Sequence, residues 1–352
     1  MLVVAEQLPL PVRGGADLRL LSVTKALSGF ATVGVTALSA HDPPAPAHVA
    51  LWSPGIGRLP NARANLRQAL KQSQDPFGIW ADPVRVLALR ETVDRFAPTV
   101  VVCYRMRTWR VLDEALAAGT VPVVVDLDDT VARAARTIED LHDTSGAMRI
   151  RLLFTRAQTT YERAVVDRAD QVWVSSPTEA ADLAGSTGRT DIDVVPNVVD
   201  VADYARPSAS RRPRRVVFPA TFAYPPNDDA ARILLDEIAP LVPDVEIALV
   251  GSWIPDWLTA RAGAMVTVNG PVDDMAAQLA ASTVAVVPLR SGTGTRLKIL
   301  ECLAASTPVV STAVGVEDLD LELDRHYLRA ESASEFAVAI RRLVDEPDLA
   351  AS

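Results

Sequence analysis

The 352-residue chain is poor in several residue types, and each shortage excludes something. Its two cysteines, Cys103 and Cys302, lie far apart with no CxxC or Cys/His spacing, so neither a disulfide framework nor a zinc site is supported. A reducing, cytoplasmic setting fits that usage. The four histidines (His41, His48, His142 and His326) form no ligand spacing, and His142 reads as a surface residue. No run approaches the roughly eighteen apolar residues that a membrane span needs. The first residues, MLVVAEQLPLPVRGG, are too short and too uncharged at their start for a signal peptide, and read as a strand entering a loop. Positive charge is also in deficit: 35 Lys and Arg stand against 44 Asp and Glu, a net charge of −9. The imbalance is uneven, 21 against 23 (−2) up to residue 200 and 14 against 21 (−7) beyond it. An acidic chain of this kind argues against a nucleic-acid partner. Lysine is the scarcest cation, with only Lys25, Lys71 and Lys298 among the 35 basic residues.

What is present is an ordinary globular composition, 49 % apolar and 22 % charged, over a length that suggests two domains. Short apolar runs alternate with helical patterns along the first part: Leu2–Ala5, then a helix marked by Leu18, Leu21 and Leu27, then Ala31–Leu38. Residues 41–82 are rich in Pro, Gly and Asn, with one clear helix near 61–73, and this irregular insertion is a plausible acceptor-recognition region. Arg63, Arg67 and Lys71 give that helix a basic face that could touch a membrane surface. Strands follow at 99–103, 121–125 and 171–175, with helices at 84–96, 109–118, 148–167 and 177–183 between and after them. A second series begins at Arg215–Pro219 and continues through 245–250, 265–268, 284–287 and 309–311, again with helices between. Strand and helix alternating on both sides of a polar, proline-bearing stretch predict two doubly wound, parallel-sheet α/β domains. The expected division is 1–203, a linker at 204–215 and 216–352.

The most informative stretch is residues 284–319, VAVVPLRSGTGTRLKILECLAASTPVVSTAVGVEDL. The run 284–287 ends at Pro288, as a strand buried on both faces would. A glycine-bearing loop, Ser291-Gly292-Thr293-Gly294-Thr295, then feeds a helix with Leu297, Leu300, Leu303 and Ala304 at helical spacing, and Pro308–Thr312 starts a further strand. The helix N-terminus offers unpaired N–H groups and about half a positive charge to an anion. Gly292 and Gly294 let backbone approach a ligand closely. Arg296 and Lys298 add cations at the mouth, and Glu301, one turn deeper, can accept hydrogen bonds from sugar hydroxyls. Phosphate at the loop and ribose at the glutamate together describe a nucleoside diphosphate.

This run resembles the donor-binding segment of the retaining group 1 glycosyltransferases with the GT-B fold, two Rossmann-like domains facing a central cleft. The resemblance spans nearly the whole chain, most strongly 216–319. It implies that Gly292, Thr293, Gly294, Thr295 and the helix N-terminus hold the donor pyrophosphate, with Arg296 and Lys298 in support and Glu301 on the ribose. It also implies that Gly14-Gly15 approach the donor from the opposite domain, that Gly270 lies where the nucleobase rests against backbone, and that no metal is required. Thr293 stands where many members carry a glutamate that touches the sugar, and Pro225-Pro226-Asn227 stand where many carry an Arg and a Lys, so Asn227 is expected to cap its helix, reach the donor or do both. PNVVD at 196–200 resembles the PN-G-VD signature closing the first domain, with Val198 in place of glycine.

The strand end occupied by Asp126 carries, in that family, a residue near the reacting carbon, so the resemblance implies that Asp126 faces the donor sugar and either stabilises developing positive charge or accepts the acceptor's proton. VVVDLDDT also fits the DxDxT motif of haloacid-dehalogenase phosphatases, with Asp126 as nucleophile beside Asp128, but that motif belongs on a domain's first strand. The activity implied by the resemblance is transfer of a sugar from a nucleoside diphosphate, used as co-substrate without a further cofactor. The acceptor would be a hydroxyl on a glycan, a lipid-linked saccharide or a small natural product. A sugar-nucleotide epimerase or hydrolase and a catalytically weak nucleotide-sugar-binding subunit are the alternatives.

Overall fold

The structure is a computed structural model that describes residues 1–55, 75–116, 119–131, 133, 146–205, 212–346 and 349. The expected helix at 61–73 with Arg63, Arg67 and Lys71, residue His142 and linker residues 206–211 lie outside that description. The chain groups into two compact units, the first formed by 1–12, 16–136 and 142–196, the second by 13–15, 137–141 and 197–352.

The first unit holds seven parallel strands, β1 (Leu2–Ala5), β2 (Gly34–Ala37), β3 (Leu51–Ser53), β4 (Val101–Tyr104), β5 (Val123–Asp126), β6 (Gln171–Val174) and β7 (Ile192–Val194), in the order β3-β2-β1-β4-β5-β6-β7. The apolar runs are continuous because both faces of the sheet are covered. Leu2, Val4, Val101 and Cys103 pack into one core with helices Pro83–Phe96 and Met106–Ala115, while Val3, Ala5, Val102 and Tyr104 pack into another with helix Gly15–Ser28. Caps set the helix ends where the sequence supplies them. Asp82 accepts Val84 and Arg85 amides, and Ser176 accepts the Glu179 amide. The stretch 41–82, expected to be irregular, contributes β3, whose three residues are too short for any periodicity to show.

The second unit carries six parallel strands, β8 (Arg215–Thr221), β9 (Glu246–Ser252), β10 (Val266–Asn269), β11 (Val284–Val287), β12 (Val309–Ser311) and β13 (Leu328–Arg329), in the order β10-β9-β8-β11-β12-β13. The two-residue edge strand β13 was not foreseen, for the same reason as β3. The break between units falls after Pro196, upstream of the expected linker, because Tyr204 on the short helix Val201–Tyr204 belongs to the second unit's core.

β8 pairs with β9 along its whole length, to Thr221 opposite Ser252, but with β11 only at Val216 and Val217. Pro219 has no N–H to give the ladder, which accords with pairing that ends two residues before it. The loops leaving β8 and β11 are thereby free to diverge.

Candidate donor site

The strand order reverses between β8 and β11, and in open parallel sheets a ligand crevice forms at the carboxyl ends of strands at such a point. Residues 222–224 lead from β8 into helix Pro225–Arg232, and residues 288–296 lead from β11 into helix Leu297–Ala304. Gly294 takes φ 68°, a left-handed conformation that a side chain disfavours, and so lets the loop fold tightly before the helix.

Arg296 is buried and turns back on this loop. Its guanidinium donates to the Gly294 carbonyl and, at 2.9 Å, to the Gly292 carbonyl, with Glu317 at 3.5 Å. The cation expected at the pyrophosphate is here turned onto its own loop: the Arg296 N–H groups are taken by loop carbonyls, with Glu317 alongside, and their effect is to fix the loop's shape.

Lys298 is half-buried, with Nζ donating to Asn227 Oδ1 at 2.7 Å and lying 4.5 Å from the Phe218 ring centroid. Burial pushes its ammonium down to about 7, against smaller opposing effects of Cys302 and Glu301. Asn227 in turn donates from Nδ2 to the Thr221 carbonyl at 2.9 Å. Asn227 does not cap its helix, since the cap position is Tyr224 and no side chain bonds there. It ties the end of β8 to the lysine instead.

One turn beyond Lys298, Glu301 Oε1 accepts the Tyr204 hydroxyl at 2.7 Å. Burial raises the Glu301 carboxyl, with the Tyr204 bond and Lys298 pulling against it. Tyr224 was missed in the sequence. It precedes Pro225, which holds it extended (φ −84°, ψ 118°). Its hydroxyl accepts the Thr293 amide at 3.2 Å and stands 3.1 Å from Thr293 Oγ1.

Residues 13–15 group with this unit, and Ser252 Oγ donates to the Arg13 carbonyl at 3.0 Å. A Cβ at Gly14 would lie 2.9 Å from Thr221 Oγ1, and one at Gly15 3.1 Å from the Leu297 side chain. The structure thus brings Gly14, Gly15, Asn227, the 292–295 loop, Lys298 and Glu301 to one switch point. Gly270 stands apart, just after β10 and two strands from β8, with open space where a side chain would project.

Asp126 is in the first unit and is fully buried. Arg19, equally buried, donates to it from Nε at 3.0 and 3.1 Å and from Nη2 at 2.8 Å, and also to the Val195 carbonyl at 2.8 Å. Burial pushes the Asp126 carboxyl up and the Arg19 pair pulls it back. The neighbouring Asp128 accepts the Tyr104 hydroxyl at 3.1 Å and Arg105 Nη2 at 2.7 Å. Asp126 is consequently corrected from a sugar-facing or nucleophilic carboxylate to the anion of a buried ion pair. The phosphatase reading loses its nucleophile with it, and Asp126 ends the fifth strand of its sheet rather than the first. Among the described residues no group of three His, Cys, Asp or Glu is placed to hold a metal. No described helix is long and apolar enough to cross a membrane.

Two parallel-sheet α/β units, each with one reversal of strand order, define the class: the chain has the GT-B fold. It superposes on sucrose-phosphate synthase from Thermosynechococcus elongatus with a TM-score of 0.76 at 17 % identity, over 99 % of this chain and 91 % of the other. HepE from Anabaena, solved with UDP and glucose, gives 0.68 at 17 % identity over 99 % and 91 %. WaaG, a glycosyltransferase involved in lipopolysaccharide biosynthesis, gives 0.67 at 14 % identity over 100 % and 92 %. No curated protein matches the sequence. Residues 213–346 match the family model described as glycosyl transferases group 1, and the chain is a glycosyltransferase whose second unit is a domain of that family.

Proposed function

We propose that the chain transfers a sugar from a nucleoside-diphosphate sugar to an acceptor hydroxyl with retention of anomeric configuration. The observation that carries this reading is Lys298, the lone lysine of the second unit, held by neutral Asn227 at the start of the helix that follows the glycine loop. Because Nζ bonds a neutral amide oxygen, and no carboxylate among the described residues hydrogen-bonds it, its charge is available to a diphosphate. The loop amides and helix N-terminus supply further donors, and Glu301 is placed one turn deeper for ribose hydroxyls. HepE structures with UDP and with UDP-glucose support a donor of this chemistry.

In transfer, negative charge grows on the leaving diphosphate, and preorganised donors meet it where it develops. Lys298 and the 292–295 amides fill that role, and no metal ion enters the scheme. Asp126, sealed by Arg19, is not placed to take the acceptor's proton. That favours a route in which the leaving phosphate oxygen takes it on the face the donor has just vacated, the retaining course.

A thermal-shift screen of nucleoside diphosphates and their sugars identifies the donor base, since a ligand of the folded state raises the melting temperature. With that donor, Lys298→Ala is expected to lower turnover by roughly a hundredfold or more. Near-normal transfer by the variant, with anomeric retention checked by NMR of the product, removes this assignment.

A further inference from the structure

The loop between β8 and the Pro225–Arg232 helix carries no cation, yet it places one hydroxyl against the glycine loop. Tyr224 is half-buried, its backbone is set by Pro225, and its hydroxyl meets both the amide and the hydroxyl of Thr293 within 3.2 Å. The glycine loop is fixed from its other side by Arg296, which holds the Gly292 and Gly294 carbonyls flanking Thr293. Thr293 is therefore gripped from both sides, and its amide points to the β8 wall of the switch point, the wall that carries Asn227, which Lys298 meets from the helix after β11.

We propose that Tyr224 is a donor-binding residue, whose hydroxyl and the Thr293 amide together take one oxygen of the diphosphate. This rests on the reading of the site as a nucleoside-diphosphate site and adds to it a binding residue that the sequence did not show. An anionic oxygen entering between the two groups accepts the Thr293 N–H in place of the phenol oxygen, and the phenol O–H turns to donate to the same oxygen. Both new bonds are charge-assisted, about twice as strong as the neutral bonds they replace. The exchange leaves no polar group unsatisfied.

The test compares wild type and Tyr224→Phe for binding of the mono- and diphosphate of whichever nucleoside stabilises the wild type most, by calorimetry, with melting temperatures as the folding control. A hydrogen bond to a charged group is worth enough to predict a rise of about tenfold or more in diphosphate Kd. The monophosphate, which lacks the second phosphate, is expected to change by less than about twofold, and the melting temperature hardly at all. Thr293→Val, which keeps the amide, is expected to weaken the diphosphate less than Tyr224→Phe does. Unchanged diphosphate affinity in Tyr224→Phe overturns the proposal while leaving the site reading standing. Equal losses for mono- and diphosphate show a merely structural contact and also overturn it. Failure of the wild type to bind any nucleotide sinks both readings together.

Discussion

Lys298 and Asp126 show how differently two charged residues behave once packed. Lys298 faces Asn227 Oδ1 and the Phe218 ring, with Glu301, Cys302 and Arg296 as its charged or titratable neighbours. With its ammonium pushed down to about 7 from an ordinary 10.5, the folded chain binds fewer protons than the unfolded chain between those values. Stability from this group therefore rises as pH climbs from about 7 to 10.5, and the cost of burying its charge is fully present below 7. Melting temperatures across that range should rise more steeply for wild type than for Lys298→Met. Diphosphate binding runs the other way, because the site must take up a proton once the lysine is neutral. Affinity should fall by up to about tenfold per pH unit above 7 in wild type and stay flat in Lys298→Met, as measured by calorimetry in buffers of different ionisation enthalpy. The scarcity of lysine made position 298 conspicuous in the sequence. Nothing comparable marked Arg19, an arginine within a run of helix residues, and without it Asp126 looked like an available carboxylate.

At the scale of elements, what was legible followed from length. Strands buried on both faces print continuous Val/Ala/Leu runs, so β1, β4, β5, β8, β9 and β11 stood out, whereas β3 and β13 are too short to print anything. The glycine loop was legible for its two glycines. Its partner was not, because a tyrosine before two prolines carries no periodicity, and only folding brings Tyr224 against Thr293. The β8–β9 pair has its own requirement at Gly251, where φ is 154° and an added Cβ would lie 1.8 Å from the Ala220 carbonyl oxygen. The neighbour is backbone within the ladder and cannot swing away. Gly251→Ala is expected to destabilise the chain by about 3 kcal/mol or more, through strand separation beside Thr221 and Ser252. Urea unfolding monitored by circular dichroism reads the loss; an unchanged midpoint would show the ladder to be more yielding than its geometry implies.

For the molecule as a whole, the division after Pro196 makes residues 197–205 part of the second unit even though they precede its first strand. Tyr204 joins the core of that unit and bonds Glu301. Tyr204→Ala in the full chain should cost about 3–5 kcal/mol, in the range of other buried aromatic truncations. It should also weaken nucleotide binding through the loss of the hydroxyl on Glu301, so Tyr204→Phe is expected to keep most of the stability and lose part of the affinity. Denaturation and calorimetry on the two variants separate those effects, and equal behaviour in both assays would count against a site role for Glu301.

The order of residues alone determined that this chain folds as two parallel-sheet α/β units and that a glycine loop, a lysine and a glutamate gather at one strand end, because periodicity and loop chemistry are local properties. Which charges are available to a ligand was decided only by the tertiary structure. Arg296 curls onto the carbonyls of its own loop, Asp126 disappears beneath an arginine 107 positions earlier, and Lys298 is left with a neutral partner from a different helix. The last two outcomes depend on groups distant in sequence meeting in the folded chain, and the first on how the loop itself folds, so no local pattern records them.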